Sequence, residues 1–162
     1  MNFRIGQGID THPFVKGRPL VLGGVTVPHE YGLQGHSDAD ALTHAICDAL
    51  LGAIAKGDIG VYFSDTAKEN KNRNSLEFLT SITQMVRENG WEISNIDSTI
   101  MTENPKLRPY IEKMTGILAK TMNIHPGQVS VKATRPEKMG ALGRGEGLVV
   151  HAIALLERLP LR

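Results

Sequence analysis

Residues 36–53, HSDADALTHAICDALLGA, read as a helix that is apolar nearly all round except for one ridge. Ala41, Leu42, Ala45, Ile46, Ala49, Leu50 and Ala53 recur at helical spacing and form a broad buried face. Ser37 is a good N-cap, and Asp38 and Asp40 fall in the first turn, where the helix dipole favours acids. Ser37 with Asp40 three residues on also makes an acid variant of the capping box. Asp40, His44 and Asp48 stand four apart and share the ridge. Two readings of that ridge stand. An acid can fix the tautomer of His44 and leave one ring nitrogen for a metal. Alternatively, it is a partly solvated stripe with an ordinary His–Asp hydrogen bond, the plainer reading of this stretch alone.

The rest of the chain sets the setting for that helix. The 162 residues suit one α+β domain, residues 1–162, with its own core. A formal net charge of +1 gives no reason to expect nucleic acid or an anionic membrane as partner. No apolar run has membrane-spanning length. The one cysteine, Cys47, sits inside the helix, so no disulfide framework exists and a buried small hydrophobe is expected there. The opening MNFRIGQGID enters a strand pattern at once, leaving no room for a targeting segment. A reducing, cytoplasmic setting is expected; a mature organellar form would look the same.

Phe3 to Asp10 reads as a strand ending in Asp10-Thr11-His12 before Pro13. Residues two apart on a strand face one side, so Asp10 and His12 converge. Leu20 to Val27 is a second apolar run, expected to pair with the first strand with Gly23-Gly24 as a bulge. Gly32 to Gly35 is expected to be a loop, and residues 64–74 a mobile polar one. A helix follows from Asn74 or Ser75 to Asn89, then a strand over Trp91–Thr102 and a helix from Pro109 to about Met122. Strands over Val129–Thr134 and Leu148–Leu156 flank a Gly-rich loop at 139–147. Strands bunch at the ends with helices between, which argues α+β with a mixed sheet rather than regular βαβ alternation.

Asp10, His12 and His44 supply one carboxylate and two imidazoles. Three protein ligands with an open fourth position suit catalytic zinc, whereas a structural zinc site would need four ligands and usually several cysteines. Asp-x-His alone is weak, and a turn Asp beside a surface His explains it equally. His36-Ser37 offers backbone N–H groups and a hydroxyl for a phosphate oxygen, or Ser37 simply caps the helix. No Walker loop, G-x-S-x-G or HExxH occurs, and GRGEG at 143–147 precedes a strand, unlike a dinucleotide fingerprint.

These motifs in this order resemble one family. G-x-G-x-D-x-H at Gly6–His12, HSDAD with His44, LLGAIAKGDIG, NPK, VKAT with Glu137 and Lys138, and GRGEG match the 2-C-methyl-D-erythritol 2,4-cyclodiphosphate synthases over about residues 3–157. The resemblance implies a homotrimer with active sites at subunit boundaries. It implies a cyclising, CMP-releasing phosphorus–oxygen lyase of the non-mevalonate isoprenoid pathway. Its substrate would be 4-diphosphocytidyl-2-C-methyl-D-erythritol 2-phosphate. By resemblance, Asp10, His12 and His44 match zinc ligands, and Asp48 matches the acid behind the zinc histidine. His36 and Ser37 match contacts to the methylerythritol phosphate, beside Thr11. Asp58, Ile59 and Gly60 match ribose contacts, and Phe63, Ser64, Asp65, Thr66 and Ala67 a substrate loop. Thr102, Glu103, Asn104, Pro105, Lys106, Leu107 and Arg108 match a cytosine pocket. Ala133, Thr134, Arg135 and Pro136 match diphosphate contacts, and Glu137 a ligand of a second divalent cation, Mg2+ or Mn2+. His36 and Arg135 are expected at the catalytic step. Ala141 and Arg144 match positions near the trimer axis.

Three departures accompany the match. Arg135-Pro136 replaces a Thr-rich stretch, Ser64–Ala67 differs from the usual loop, and Ile9 and Ala141 replace frequent aromatics. The last puts an axial isoprenoid-diphosphate site in question. Two other functions fit parts of the pattern: a zinc phosphohydrolase releasing inorganic phosphate, and a non-catalytic trimeric module that binds cytidine nucleotides.

Overall fold

The organising helix, α1, spans Ala41–Ala53 and begins later than its sequence signal. Its N-cap is Asp40, which accepts from the Thr43 N–H at 3.0 Å, and Ser37 instead accepts from the Ala39 N–H at 3.2 Å. The cause is a competing claim on Asp40. Its fully buried carboxylate also accepts from the Gly23 and Gly24 N–H groups at 2.8 and 2.7 Å and from the Thr43 hydroxyl at 2.7 Å. Burial pushes the Asp40 carboxyl upward, and those donors oppose the shift. One side chain therefore caps the helix and anchors a distant turn. Asp38, expected in the first turn, lies outside the helix.

A computed structural model describes residues 2–63 and 73–158. The strands are β1 (Phe3–Lys16), β2 (Leu20–Leu22), β3 (Val25–Val27), β4 (Tyr31–Leu33), β5 (Trp91–Met101), β6 (Val129–Thr134) and β7 (Gly147–Arg158). The other helices are α2 (Ile59–Tyr62), α3 (Ser75–Glu88), α4 (Ile111–Met122) and α5 (Gly140–Gly143). The main sheet has the order β4-β1-β7-β5-β6, antiparallel except for the parallel β5–β6 pair, so it is mixed as expected for an α+β fold.

Several local expectations change. β1 does not stop near Asp10 but passes through Pro13 to Lys16. Pro13 lies opposite Gly147 at the end of the β7 pairing, and Phe14 then starts the pairing with β4. The Leu20–Val27 run does not join β1. It folds on itself as a β2–β3 hairpin, because Gly23 and Gly24 take positive φ values of 57° and 71° and make a two-residue turn. Part of the expected 32–35 loop is strand β4, and one helical turn, α5, interrupts the 139–147 loop. The expected 64–74 loop lies mostly outside the described residues.

Gly6 and Gly8 let α1 lie directly on β1. A Cβ at either would stand 1.9 Å from a helix carbonyl oxygen, Ala49 or Ala45 respectively. The covered face of the sheet continues through Ile96 and Ile100 of β5 and Leu148, Val150, Ala152, Ala154 and Leu156 of β7, all buried. The opposite face is mixed and exposes large apolar side chains among polar ones such as Gln7, His151 and Thr99: Phe3, Ile5, Ile9 and Ile153 are 54, 70, 50 and 43% exposed. Cys47 is buried and free, and burial raises its thiol pKa, consistent with a packing role. Among the described residues no helix is long and apolar enough to cross a membrane.

Candidate functional site

Asp10 and His12 point from β1 toward α1 on the side that Gly8 opens, and His44 meets them from the first turns of the helix. Asp10 Oδ2 is 3.0 Å from His12 Nε2 and 3.2 Å from His44 Nδ1. The three ligand atoms lie within 4.8 Å of one another. Two-apart spacing on a strand and one helical residue therefore converge as the sequence indicates.

The other ring nitrogens are also occupied. His12 Nδ1 lies 2.6 Å from the Gln34 carbonyl, which can only accept, so Nδ1 carries a proton; Nε2 then presents a lone pair in the neutral ring and donates to Asp10 only when the ring is protonated. His44 Nε2 lies 2.8 Å from the Ser75 hydroxyl and 3.3 Å from that of Ser37. Burial works against the charged form of Asp10, but the two imidazoles, which donate to it in their protonated form, outweigh burial and hold the carboxyl well below the usual range. Burial likewise lowers His12, and the hydrogen bond and charge of Asp10, with the Gln34 carbonyl, together more than reverse this. The cluster thus calls for a cation among its acceptors, either protons on the imidazoles or a metal ion. Donors around tetrahedral zinc sit about 3.3 Å apart, close to the two contacts above, and a carboxylate with two imidazoles is a zinc-type set. The residues fit the metal.

A cavity of about 720 Å³ opens on the triad, lined also by Gly35, His36, Ser37, Ile59, Gly60 and Phe63. The loop that carries His36 and Ser37 is held by Arg18, whose guanidinium donates to the carbonyls of Gly35 and Ser37. Asp58 caps α2, and the Ile59 N–H donates to Asp48 Oδ1 at 2.8 Å. Asp48 therefore differs from the expected partner of His44. Its hydrogen bond comes from the turn at 58–60 rather than from the imidazole. Burial raises the Asp48 pKa. Phe63 stacks on Phe78 at 4.5 Å at the edge of the cavity, and the Arg73 guanidinium lies over both rings. Ser64, Asp65, Thr66 and Ala67 lie outside the described residues.

The remaining expected contacts form a second cluster that does not line this cavity. Met101 pairs with Thr134 at the parallel ends of β5 and β6, which puts residues 102–108 beside 133–137. The Thr102 N–H donates to the Thr134 carbonyl at 3.1 Å, and the Lys138 N–H donates to Glu103 at 3.1 Å. Ala133, Thr134, Arg135 and Glu137 are exposed and Pro136 is buried. Thr102 and Leu107 are also buried, so any contact from Leu107 is through its backbone. Asn104, Lys106 and Arg108 are exposed, and Asn104-Pro105 is a cis peptide. Arg144 pairs with Glu146 at 2.6 Å, and Ala141 is exposed near it.

Sequence reasoning missed Ser75, Asp38 and Arg18. Ser75 looked like a helix cap and Asp38 a first-turn acid. Their meeting spans 37 residues of sequence, and no local pattern announces it. Arg18 acts on backbone carbonyls, which leave no residue signature.

The chain is similar to known proteins over almost its whole length. The YgbB family model matches residues 3–157. A 2-C-methyl-D-erythritol 2,4-cyclodiphosphate synthase of Synechococcus elongatus is 52% identical over 156 residues, covering 96% of this chain and 98% of that one. One from Laribacter hongkongensis is 54% identical over 157 residues, covering 97% of each. Among solved structures, a Plasmodium falciparum IspF in a CDP complex superposes with a TM-score of 0.86 at 30% identity, covering 98% of this chain and 97% of that one. The bifunctional IspDF of Campylobacter jejuni gives a TM-score of 0.94 at 41% identity; the match covers 97% of this chain but 42% of that longer one.

Proposed function

This chain belongs to the YgbB family, and from that membership and the site we infer that it converts 4-diphosphocytidyl-2-C-methyl-D-erythritol 2-phosphate into 2-C-methyl-D-erythritol 2,4-cyclodiphosphate. CMP is released, and the product serves isoprenoid precursor biosynthesis. The reaction makes it a cyclising phosphorus–oxygen lyase. An oxygen of the 2-phosphate forms a bond to the β-phosphorus, the bond from that phosphorus to the bridging oxygen breaks, and CMP departs with the electron pair. A phosphate monoester is already anionic near neutral pH, its second pKa being about 6, so no protein base is required. Positioning and charge neutralisation carry the chemistry.

The observation that carries the reading is the Asp10–His12–His44 triad opening onto a cavity that also holds His36 and Ser37. Zinc bound by Asp10, His12 and His44, with Mg2+ or Mn2+ on Glu137, would supply positive charge to the phosphates. His36 and Ser37 hold the attacking phosphate, with the loop braced by Arg18. Asp58, Ile59 and Gly60 take the ribose, and the 102–108 segment takes the cytosine. Arg135 faces the diphosphate.

A homotrimer with sites between subunits completes this assignment. What supports it is the separation of the two clusters within one chain, together with the exposed apolar side chains Phe3, Ile5, Ile9 and Ile153 on the outer sheet face. One copy would bring the triad, and its neighbour the ends of β5 and β6. A cytoplasmic enzyme with one domain over residues 1–162 is the setting that matches.

The test is to supply the CDP-linked substrate with zinc and magnesium and to follow CMP and cyclic product by phosphorus NMR. Release of inorganic phosphate instead would point to a hydrolase, and CMP binding without turnover to a binding module. His44→Ala should lose both zinc and turnover while the fold survives.

A further inference from the structure

We propose that Asp38 and Ser75 are positioning residues that fix the ring of His44 for metal binding. The proposal rests on the metal reading of the triad. The Ser75 hydroxyl donates to Asp38 Oδ1. Its own proton is therefore committed, and it meets His44 Nε2, 2.8 Å away, as an acceptor. Nε2 must then carry the proton, and Nδ1 of the neutral ring is left as the lone pair that faces Asp10. The chain Asp38–Ser75–His44 dictates which nitrogen is free, just as the Gln34 carbonyl does for His12.

The helix does not need this hydroxyl. Asn74 is the N-cap of α3 and accepts from the Leu76 N–H at 2.9 Å, while Ser75 occupies the first helical position. Yet Ser75 is fully buried, and its N–H and hydroxyl both meet Asp38. Asp38 Oδ2 accepts from the Ser75 N–H at 3.0 Å, Oδ1 also accepts from the Asp40 N–H at 3.2 Å, and the Asp38 N–H donates to the Arg73 carbonyl at 3.1 Å. Asp38 is thereby clamped to the start of α3 on both its main chain and its side chain. The acceptor offered to His44 is held from two segments. The Ser37 hydroxyl, at 3.3 Å, is a longer alternative and holds the Ala39 N–H as well.

The experiment uses the full chain loaded with zinc, measuring affinity by chelator competition and the His44 ring by nitrogen-15 NMR. Ser75→Ala should weaken zinc by about 10–100-fold and abolish a slowly exchanging Nε2–H resonance of His44. Ser75→Thr keeps the hydroxyl and should restore both. Circular dichroism and the thermal midpoint establish that each variant is folded. Wild-type zinc affinity and an unchanged Nε2–H signal in folded Ser75→Ala would overturn the relay while leaving the metal site standing. Equal losses in folded Ser75→Thr and Ser75→Ala would overturn it too. If the wild-type chain takes up no zinc, the metal reading fails and the relay goes with it.

Discussion

Gly8→Ala tests whether the contact between β1 and α1 builds the triad. The added Cβ would lie 1.9 Å from the Ala45 carbonyl oxygen, 2.8 Å from the Ala49 nitrogen and 2.9 Å from the Ala45 carbonyl carbon. All three are backbone atoms of α1, so no side-chain rotation relieves the clash. Ordinary contact begins near 3.4 Å, so strand and helix must part by about 1.5 Å. That displacement falls between Asp10, two residues along the strand, and His44, the neighbour of Ala45. Metal–ligand distances tolerate roughly 0.2 Å, so zinc binding should fall far more than any loss of stability explains. Overpacking of this kind costs about 3 kcal/mol, which for a domain of this size lowers the thermal midpoint by roughly 6–12 °C. Gly52→Ala is the control. It lies on the same helix, its nearest atom is the Gln7 carbonyl oxygen at 3.7 Å, and helical alanine is favoured over glycine by about 1 kcal/mol. Zinc titration and thermal melts of both variants decide the matter. A Gly8→Ala protein with wild-type zinc affinity and midpoint would refute the reasoning.

Other substitutions separate the remaining roles. Asp48→Ala frees the Ile59 N–H and should weaken CDP binding through the 58–60 turn, with zinc affinity within about twofold of wild type because a group's charge alone counts for little at a partly exposed position; calorimetry with each ligand checks this. Glu137→Gln should raise the magnesium requirement of turnover and leave zinc content unchanged, which metal analysis after dialysis will read. Arg135→Thr removes an exposed cation beside Thr134 and should reduce affinity for CDP but not for cytidine, since only the former carries the diphosphate. Unchanged affinities and turnover would make Arg135 a bystander.

The parts of the fold that were legible are those whose signal is local. β6 runs over Val129–Thr134, the residues its apolar alternation marks, and α3 ends before Gly90 as its stop signal requires. Asp10-x-His12 converge because strand periodicity alone decides it. Where the structure departs from the local signal, one residue has two possible partners. Gly23-Gly24 is compatible with a bulge or a hairpin turn, and the choice was made by Asp40, which accepts from both glycines across 16 and 17 residues of sequence. The same bond moved the helix start away from Ser37. Leu107 sits in a segment matched to substrate contacts, yet its side chain went into the core.

The same distinction separates the two halves of the site. The zinc-type ligands stand on β1 and α1, which the Gly–Ala contact presses together without slack, and each imidazole has its second nitrogen satisfied. Such an arrangement suits a metal whose bond lengths are narrowly fixed. The groups proposed for the substrate sit instead on turns and element ends: 35–37 braced by Arg18, 58–60 braced by Asp48, and 102–108 against 133–137 at a sheet end. Asp40 links the rigid half to its surroundings by joining the β2–β3 hairpin to the start of α1, three residues before His44 on the chain reaches the triad. The acid pattern Asp38-x-Asp40 therefore does two different jobs: Asp40 fixes where the helix begins, and Asp38, turned the other way, reaches Ser75 and through it the ring of His44. A helix that began at Ser37 would place both acids in its first turn and leave neither job done.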